Sequence, residues 1–202
     1  MAPMHVVLRE EPLAALPAHA RIPIAFLVDR VLDLGSVAVG AGAGTLAEIA
    51  IPTPYLKDYD AIPGNHPTTW PSRFDMSQWG LIAAFAGETR VGGAVVARDT
   101  PGLELLRGDP QRALLWDLRV APDHRGQGIG SLLFTGAEHW ARGRGCQRLH
   151  VETQDINPAA CRFYANRGCY LERVVRSAYP GFPNEVQLIW TRSLAGAAPF
   201  PA

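Results

Sequence analysis

The sequence has no excess of either charge: nineteen basic and nineteen acidic side chains sum to zero. Nucleic acid and anionic membrane surfaces reward a strong basic surplus, so neither is expected as a partner. Cysteine is scarce. Cys146, Cys161 and Cys169 are odd in number and lack any Cys-x-x-Cys spacing, which argues for reduced thiols over a disulfide framework or a zinc site. No uninterrupted apolar run approaches the ~18 residues of a membrane span. The first twenty residues mix His5, Arg9, Glu10 and Glu11 with three prolines, unlike a signal peptide. The expected location is the cytoplasm, and a homodimer is expected on base rate alone.

What is present suits one globular domain: 202 residues, 48% of them hydrophobic and 19% charged. Residues 1–20 are Pro/Ala-rich and expected to be poorly ordered, residues 21–195 to form the domain, and 196–202 a tail. Ile24 to Leu34 and Thr45 to Ile51 read as the strands of an N-terminal hairpin joined through glycines. Residues 52–79, with five prolines, read as an irregular functional loop holding one short helix near Tyr55. Gly80 to Ala86 and Arg90 to Arg98 form a second hairpin, and Ala113 to Val120 a further strand. Helices are expected from Gly128 to about Gly143 and from Asn157 to Gly168, with the strand Arg148 to Thr153 between them. Tyr170 to Ala178 and Glu185 to Thr191 complete a single-domain α/β fold.

The chemically informative segment is Leu118-Arg119-Val120-Ala121-Pro122-Asp123-His124-Arg125-Gly126-Gln127-Gly128-Ile129-Gly130. A strand enters a loop with three alternating glycines, and the loop feeds a helix. Backbone N–H groups unobstructed by Cβ atoms converge there with the positive end of the helix, and Arg125 adds a full charge. An anion, most simply a diphosphate, is expected at this spot. The spacing departs from the G-x-G-x-x-G of dinucleotide folds. So does the run Gly40, Gly42, Gly44, whose helix Pro52 and Pro54 would break.

Arg125-x-x-Gly128-x-Gly130 after a strand, with Asn157, Ala160, Tyr164 and Gly168 downstream, resembles the acetyl-CoA signature of GNAT acetyltransferases. A narrower resemblance, to streptothricin acetyltransferases, rests on Glu152-Thr153-Gln154-Asp155-Ile156-Asn157, Ala160-Cys161 and Phe163-Tyr164. It extends to Pro54-Tyr55-Leu56-Lys57-Asp58-Tyr59 and to Tyr179, Phe182, Asn184-Glu185 and Trp190. The resemblance implies a GNAT-like mixed, mostly antiparallel sheet flanked by helices, with the N-terminal hairpin as an addition. It also implies acetyl transfer to a primary amine of a small cationic substrate, of which a streptothricin-type antibiotic is one candidate. The loop Asp60 to Trp70 departs from an acidic composition suited to a polycation, so a polyamine, amino-acid or protein amine stays open, as does a non-catalytic acyl-CoA-binding module.

The resemblance further implies roles. Pantetheine would lie along Leu118, Arg119 and Val120. The diphosphate would rest on Arg125, Gly126, Gln127, Gly128, Ile129, Gly130 and Ser131, and Asn157, Ala160 and Phe163 would also contact the cofactor. Tyr164 would be the general acid, since a phenol with an ordinary pKa of about 10 can protonate a thiolate. The base is left between Asp117 and Glu152, one of which alternation points into the cleft while Trp116 and Leu118 face away. Tyr55, Tyr59, Asp60, Trp116, Tyr179 and Glu185 would line the acceptor side, aromatic faces and carboxylates being suited to an ammonium. Each has a plainer reading: a packed tyrosine, a helix cap at Asn157, a salt bridge from Asp117 to Arg119.

Overall fold

A computed structural model describes residues 5–35, 37–40 and 46–195. Among them, β-branched and apolar runs form strands β1 (Val6–Glu11), β2 (Phe26–Leu32), β3 (Glu48–Lys57), β4 (Gly80–Ala86), β5 (Thr89–Arg98), β6 (Arg112–Val120), β7 (Arg148–Gln154), β8 (Tyr170–Val175) and β9 (Gln187–Ser193). The helices are a single turn α1 (Leu16–His19), then α2 (Ile129–Gly143) and α3 (Pro158–Asn166). Seven strands make one sheet in the order β1-β4-β5-β6-β7-β9-β8, and β2 pairs β3 separately. Every neighbour in the large sheet is antiparallel except β6 and β7, which run parallel with α2 as their crossover. This is the mixed, mostly antiparallel sheet expected.

The core explains the sequence pattern. Strands β4 and β5 are buried almost end to end because both faces of the sheet are covered, so they read as continuous apolar runs instead of alternating ones. On one face α2 lays down Ile129, Leu133, Phe134, Ala137, Trp140 and Ala141 against Val91, Ala94, Leu115 and Val151. Phe134 is 1% exposed, a burial that contributes about 1.5–3 kcal/mol. On the other face α1 and the 3-10 turn Pro67–Ser72 close over Leu81, Val95 and Leu114, with Leu16, Trp70 and Trp79 as the large contributors.

Two boundaries differ from expectation. Residues 6–11, placed outside the domain on composition, form β1 and pair β4 from Val6↔Ala86 to Glu11↔Leu81, so the domain begins before residue 21. The strand β3 runs through Pro52 and Pro54 to Lys57, where an irregular loop and a short helix were expected. It pairs with β2 alone, and the register shifts between Val28↔Tyr55 and Arg30↔Ala50, so both prolines fall in the skipped stretch where no ladder bond is lost. The glycine turn between β2 and β3 falls partly on residues 41–45, including Gly42 and Gly44. That stretch and the tail 196–202 lie outside the described residues.

Candidate active site

Strands β6 and β7 pair only from Arg112↔Arg148 to Leu115↔Val151. Beyond that point they separate, and the cause is local. The β5–β6 register shifts between Val95↔Asp117 and Val96↔Leu115, leaving Trp116 as an extra residue that bends β6 away from its neighbour. The opening is a cavity of about 1140 Å³. That is at the upper end for ligand pockets, roomy enough for more than one small molecule.

One end of the cavity is built from backbone. Gly126 (φ 73°) and Gly128 (φ 83°) take left-handed conformations that L side chains rarely adopt, and nothing stands within 4 Å of where a Cβ would be at either. Gly128 is the N-cap of α2 and offers no side-chain acceptor, so the helix presents uncapped N–H groups. Arg125, Gly126, Gly128, Ile129, Gly130 and Ser131 line the cavity. Gln127 does not; its Nε2 donates to Asp123 O at 3.1 Å. The Arg125 side chain anchors the loop, donating from Nε to Val120 O (3.1 Å) and from Nη2 to Pro23 O (3.2 Å). Ala121 N–H donates to Val91 O on β5. Since backbone direction alternates along a strand, Arg119 N–H also faces β5, while those of Leu118 and Val120 face the opening.

Helix α3 forms the adjoining wall. Asn157 Oδ1 accepts from Ala160 N–H at 3.1 Å, capping the helix, and Pro158 follows at its first position. Ala160, Phe163 and Tyr164 then share one face and all line the cavity. Tyr164 is 8% exposed, and its hydroxyl has no hydrogen-bond partner among the described residues. Burial, with smaller contributions from Cys169, Asp117 and Cys161, pushes its phenol well above the ordinary tyrosine range. It is a neutral donor at physiological pH.

The other end is built from side chains far apart in sequence. Asp117, one of the two candidate bases, lines the cavity with its carboxylate paired. His19 Nε2 lies 2.8 Å from its Oδ1, and Arg119 donates from Nε to both carboxylate oxygens (2.9 and 3.1 Å) and from Nη2 to Oδ2 (2.9 Å). Burial works against its charge, yet the His19 hydrogen bond and the charges of His19 and Arg119 hold its carboxyl below the usual range. A carboxylate so held is a poor proton acceptor. The Arg119 guanidinium is also spent, donating to Asp60 at 2.6 and 2.8 Å and to Ile22 O at 3.1 Å, so Arg119 has no donor left for a cofactor. The bulge corrects the facing as well. Trp116 turns with Asp117 toward the α1 side, its ring 5.3–6.0 Å from those of Trp70, Phe74 and Trp79, while Leu118 packs toward α2.

Glu152, the other candidate, lines the cavity. It accepts from Tyr179 Oη at 2.5 Å and from Gln154 Nε2 at 3.4 Å. Burial raises its carboxyl above the usual range, against the hydrogen bonds of Tyr179, Gln187 and Gln154 and the charge of Arg173. Gln154 ties the group together, donating to Tyr179 Oη (2.8 Å) and accepting from Tyr59 Oη. Glu185 is engaged by Lys57, the only lysine of the chain, whose Nζ sits 3.5 Å from the Phe182 ring centre. Tyr55 stays 42% exposed and outside the cavity lining, because it rides the outer part of β3.

Sequence reasoning gave no site role to His19, Gln154 or Lys57, although the last two stand in the stretches that carry the family resemblance. His19 sits 98 residues from Asp117 in a segment read as unstructured, and a Cβ at Gly93 would stand 2.4 Å from its Nδ1, so only a glycine there leaves it room. No spacing rule exposes such a pair. Gln154 could have been found: it stands two residues beyond Glu152, on the same face of β7.

Comparison with known proteins agrees with this geometry. Residues 49–169 match the Acetyltransferase (GNAT) family. Streptothricin acetyltransferase A of Bacillus subtilis is 40% identical over 80 residues, 39% of this chain and 46% of the relative. Streptothricin acetyltransferase of Streptomyces lavendulae is 36% identical over 75 residues, 37% of this chain and 40% of the relative. The matched stretch thus spans less than half the length of these curated relatives. The fold is similar to the crystal structure of a Bacillus anthracis protein assigned as a streptothricin acetyltransferase, in complex with acetyl coenzyme A. The TM-score is 0.71 at 20% identity, covering 94% of this chain and 99% of the other. No helix among the described residues is long and apolar enough to cross a membrane.

Proposed function

The chain belongs to the GNAT acetyltransferase family, and from that premise we propose that it transfers an acetyl group from acetyl-CoA to a primary amine of a small cationic substrate of the streptothricin type. One observation carries the reading: a single cavity joins an uncapped helix N-terminus, an unpartnered buried phenol and a carboxylate of raised pKa. The glycine end fits a diphosphate, since nothing occupies the space over Gly126 and Gly128. Backbone N–H groups from Gly126 to Ser131, with Arg125 at the rim, would hold it, and the outward N–H groups of Leu118 and Val120 would pair with the pantetheine arm. When bound, acetyl-CoA supplies an acetyl group activated as a thioester.

The chain's own residues do the rest. Glu152 holds the incoming ammonium and accepts its proton, its raised pKa making it a better base than an exposed carboxylate. Tyr179 and Gln154 fix the orientation of that carboxylate. Tyr164 donates its phenolic proton to the departing sulfur, a role that its buried, neutral hydroxyl suits. The names of the two curated relatives support an antibiotic acceptor over a protein one. Three buried, unpaired thiols support a reducing compartment, the cytoplasm. The balanced charge supports the absence of a nucleic-acid partner. A symmetric dimer is proposed on base rate and is checked by light scattering.

The test is release of free thiol from acetyl-CoA with streptothricin beside a panel of simple amines. Selective turnover of streptothricin is the expected result. Turnover with other amines alone rejects the antibiotic and keeps acetyl transfer. Binding of acetyl-CoA without turnover of any amine overturns the catalytic reading.

A further inference from the structure

The connection between β8 and β9, residues 176–185, supplies Tyr179, Phe182 and Glu185 to the cavity wall. Its backbone does little to hold it there. Phe182 N–H donates to Tyr179 O (2.9 Å) and Glu185 N–H to Phe182 O (3.0 Å), two turns that link these residues to one another and not to the sheet. Pro180 and Pro183 have no N–H to offer, and residues 180–184 are exposed. Among the described residues, the side-chain hydrogen bonds of the segment are those of Tyr179 with Glu152 and Gln154, and that of Glu185 with Lys57. Tyr179 therefore aims Glu152 from a loop whose one other side-chain anchor is Lys57.

Lys57 ends β3 and is buried. Its ammonium is enclosed by the Glu185 carboxylate, the Phe182 ring at 3.5 Å and the Tyr59 ring at 5.5 Å. A desolvated cation against a carboxylate and over aromatic faces is held firmly. The chain carries nineteen basic side chains, and only this one is a lysine. An ammonium is a compact charge that fits between a ring and a carboxylate, where the wide planar guanidinium of arginine would push them apart. Lys57 does not line the cavity. Its reach into the site is indirect and follows two arms. Glu185 and Phe182 lead through the loop to Tyr179, while Tyr59 donates to Gln154, which donates in turn to Tyr179 and Glu152. Both arms end on Glu152.

We infer that Lys57 is a positioning residue for acetyl transfer: it clamps the β8–β9 loop so that Tyr179 keeps the Glu152 carboxylate aimed at the acceptor amine. This rests on the acetyl-transfer reading. Loss of the ammonium acts twice. The loop loses its anchor, and Glu185 keeps a negative charge that nothing offsets. The charged or titratable groups around Glu152 are Tyr59 and Tyr179, Arg173 on β8, Glu104 across a small side cavity and, across the opening on β6, the paired Asp117. An unpaired Glu185 adds a like charge to that set, so Glu152 holds its proton to higher pH.

The test follows thiol release from acetyl-CoA, with the acceptor that the parent chain turns over best, in Lys57→Met, Lys57→Arg, Tyr179→Phe and the double variant of Lys57→Met with Tyr179→Phe. Lys57→Met is expected to lower kcat about tenfold with acetyl-CoA affinity unchanged, and to move the acidic limb of kcat/KM toward higher pH. Lys57→Arg restores the position of that limb and part of kcat. In the double variant the loss is smaller than the product of the two single losses, because both act on one carboxylate. Rates are read well below each melting temperature, where a lysine that serves stability alone leaves both kcat and the limb unmoved. If Lys57→Met does not fold, Phe182→Leu takes its place in the cycle, removing the ring beneath the ammonium at an exposed position. A parent-like kcat and limb, or single losses that multiply in the double variant, overturn the positioning role and leave acetyl transfer standing. No turnover of any amine by the parent chain while acetyl-CoA binds removes the transfer reading and this role with it.

Discussion

The two ends of the cavity are made in different ways. The glycine end uses backbone from one continuous stretch, Leu118 to Ser131, plus one face of α3. The acceptor end uses side chains of Tyr59, Asp60, Asp117, Glu152, Tyr179 and Glu185, joined by hydrogen bonds and ion pairs across as many as 128 residues. Backbone recognition tolerates change in side chains provided the φ angles survive. Side-chain networks tolerate little, because each member is buried against the charge of another. The contrast suggests that a common donor is held by the first and a particular acceptor is chosen by the second.

The largest way to break the comparison is Arg119→Met. Its guanidinium, with 1% of its side chain exposed, compensates both Asp117 and Asp60. Removing it leaves two carboxylates short of their cation, which should cost about 3–5 kcal/mol in denaturant unfolding. A loss below about 1 kcal/mol would show the network to be dispensable. The pH dependence has a defined sign. Asp117 has a depressed pKa in the folded state, so its contribution is full above the unfolded value, near 3.8, and is lost as pH falls through the lower folded one.

Next is Tyr164→Phe, which keeps the ring contacts with Phe134 and Phe163 at 5.7 and 5.1 Å and removes only the hydroxyl. A fall in kcat of about a hundredfold is expected, with acetyl-CoA affinity unchanged. Unaltered turnover would take the acid role away from Tyr164.

These two residues also mark what the sequence could reveal. Tyr164 was legible through the family resemblance, whose Asn157, Ala160 and Tyr164 share one face of a helix, and the glycine loop was legible because positive φ demands glycine. Strand identities from β4 onward followed from β-branched and apolar runs bounded by turn residues. Strand β1 was missed because a short edge strand beside prolines carries too little pattern. Its partner β4 supplies the apolar contact that Val6 to Glu11 alone do not announce. The salt bridge from Asp117 to Arg119 was one of two readings and is present, but alternation cannot foresee the bulge that sets its facing. The extra residue at Trp116 turned both side chains to one face, and His19 arrived from a segment 98 residues away.

Glu152→Gln sharpens the acceptor end. Burial raises the Glu152 pKa, so kcat/KM of the parent chain should climb with pH through a value above the ordinary 4.5, as the carboxylate becomes free to take a proton. The glutamine variant should lose that acidic limb and about tenfold in kcat/KM at neutral pH, less than Tyr164→Phe because the amine can also surrender its proton to water. A limb that persists in the variant would assign it to another group.

Gly128→Val tests the glycine end and carries the smallest expected effect. The φ of 83° at this position costs a β-branched residue about 1–2 kcal/mol, while the space around it is open. The first turn of α2 relieves that strain by rotating, and rotation turns its N–H groups away from the phosphate position. Stability should therefore fall by less than the full strain, while acetyl-CoA affinity drops about tenfold, which is ~1.4 kcal/mol. Calorimetric titration beside a thermal melt separates the two quantities. A lower melting temperature with undiminished affinity would mean that the glycine serves the helix alone and that the diphosphate rests elsewhere.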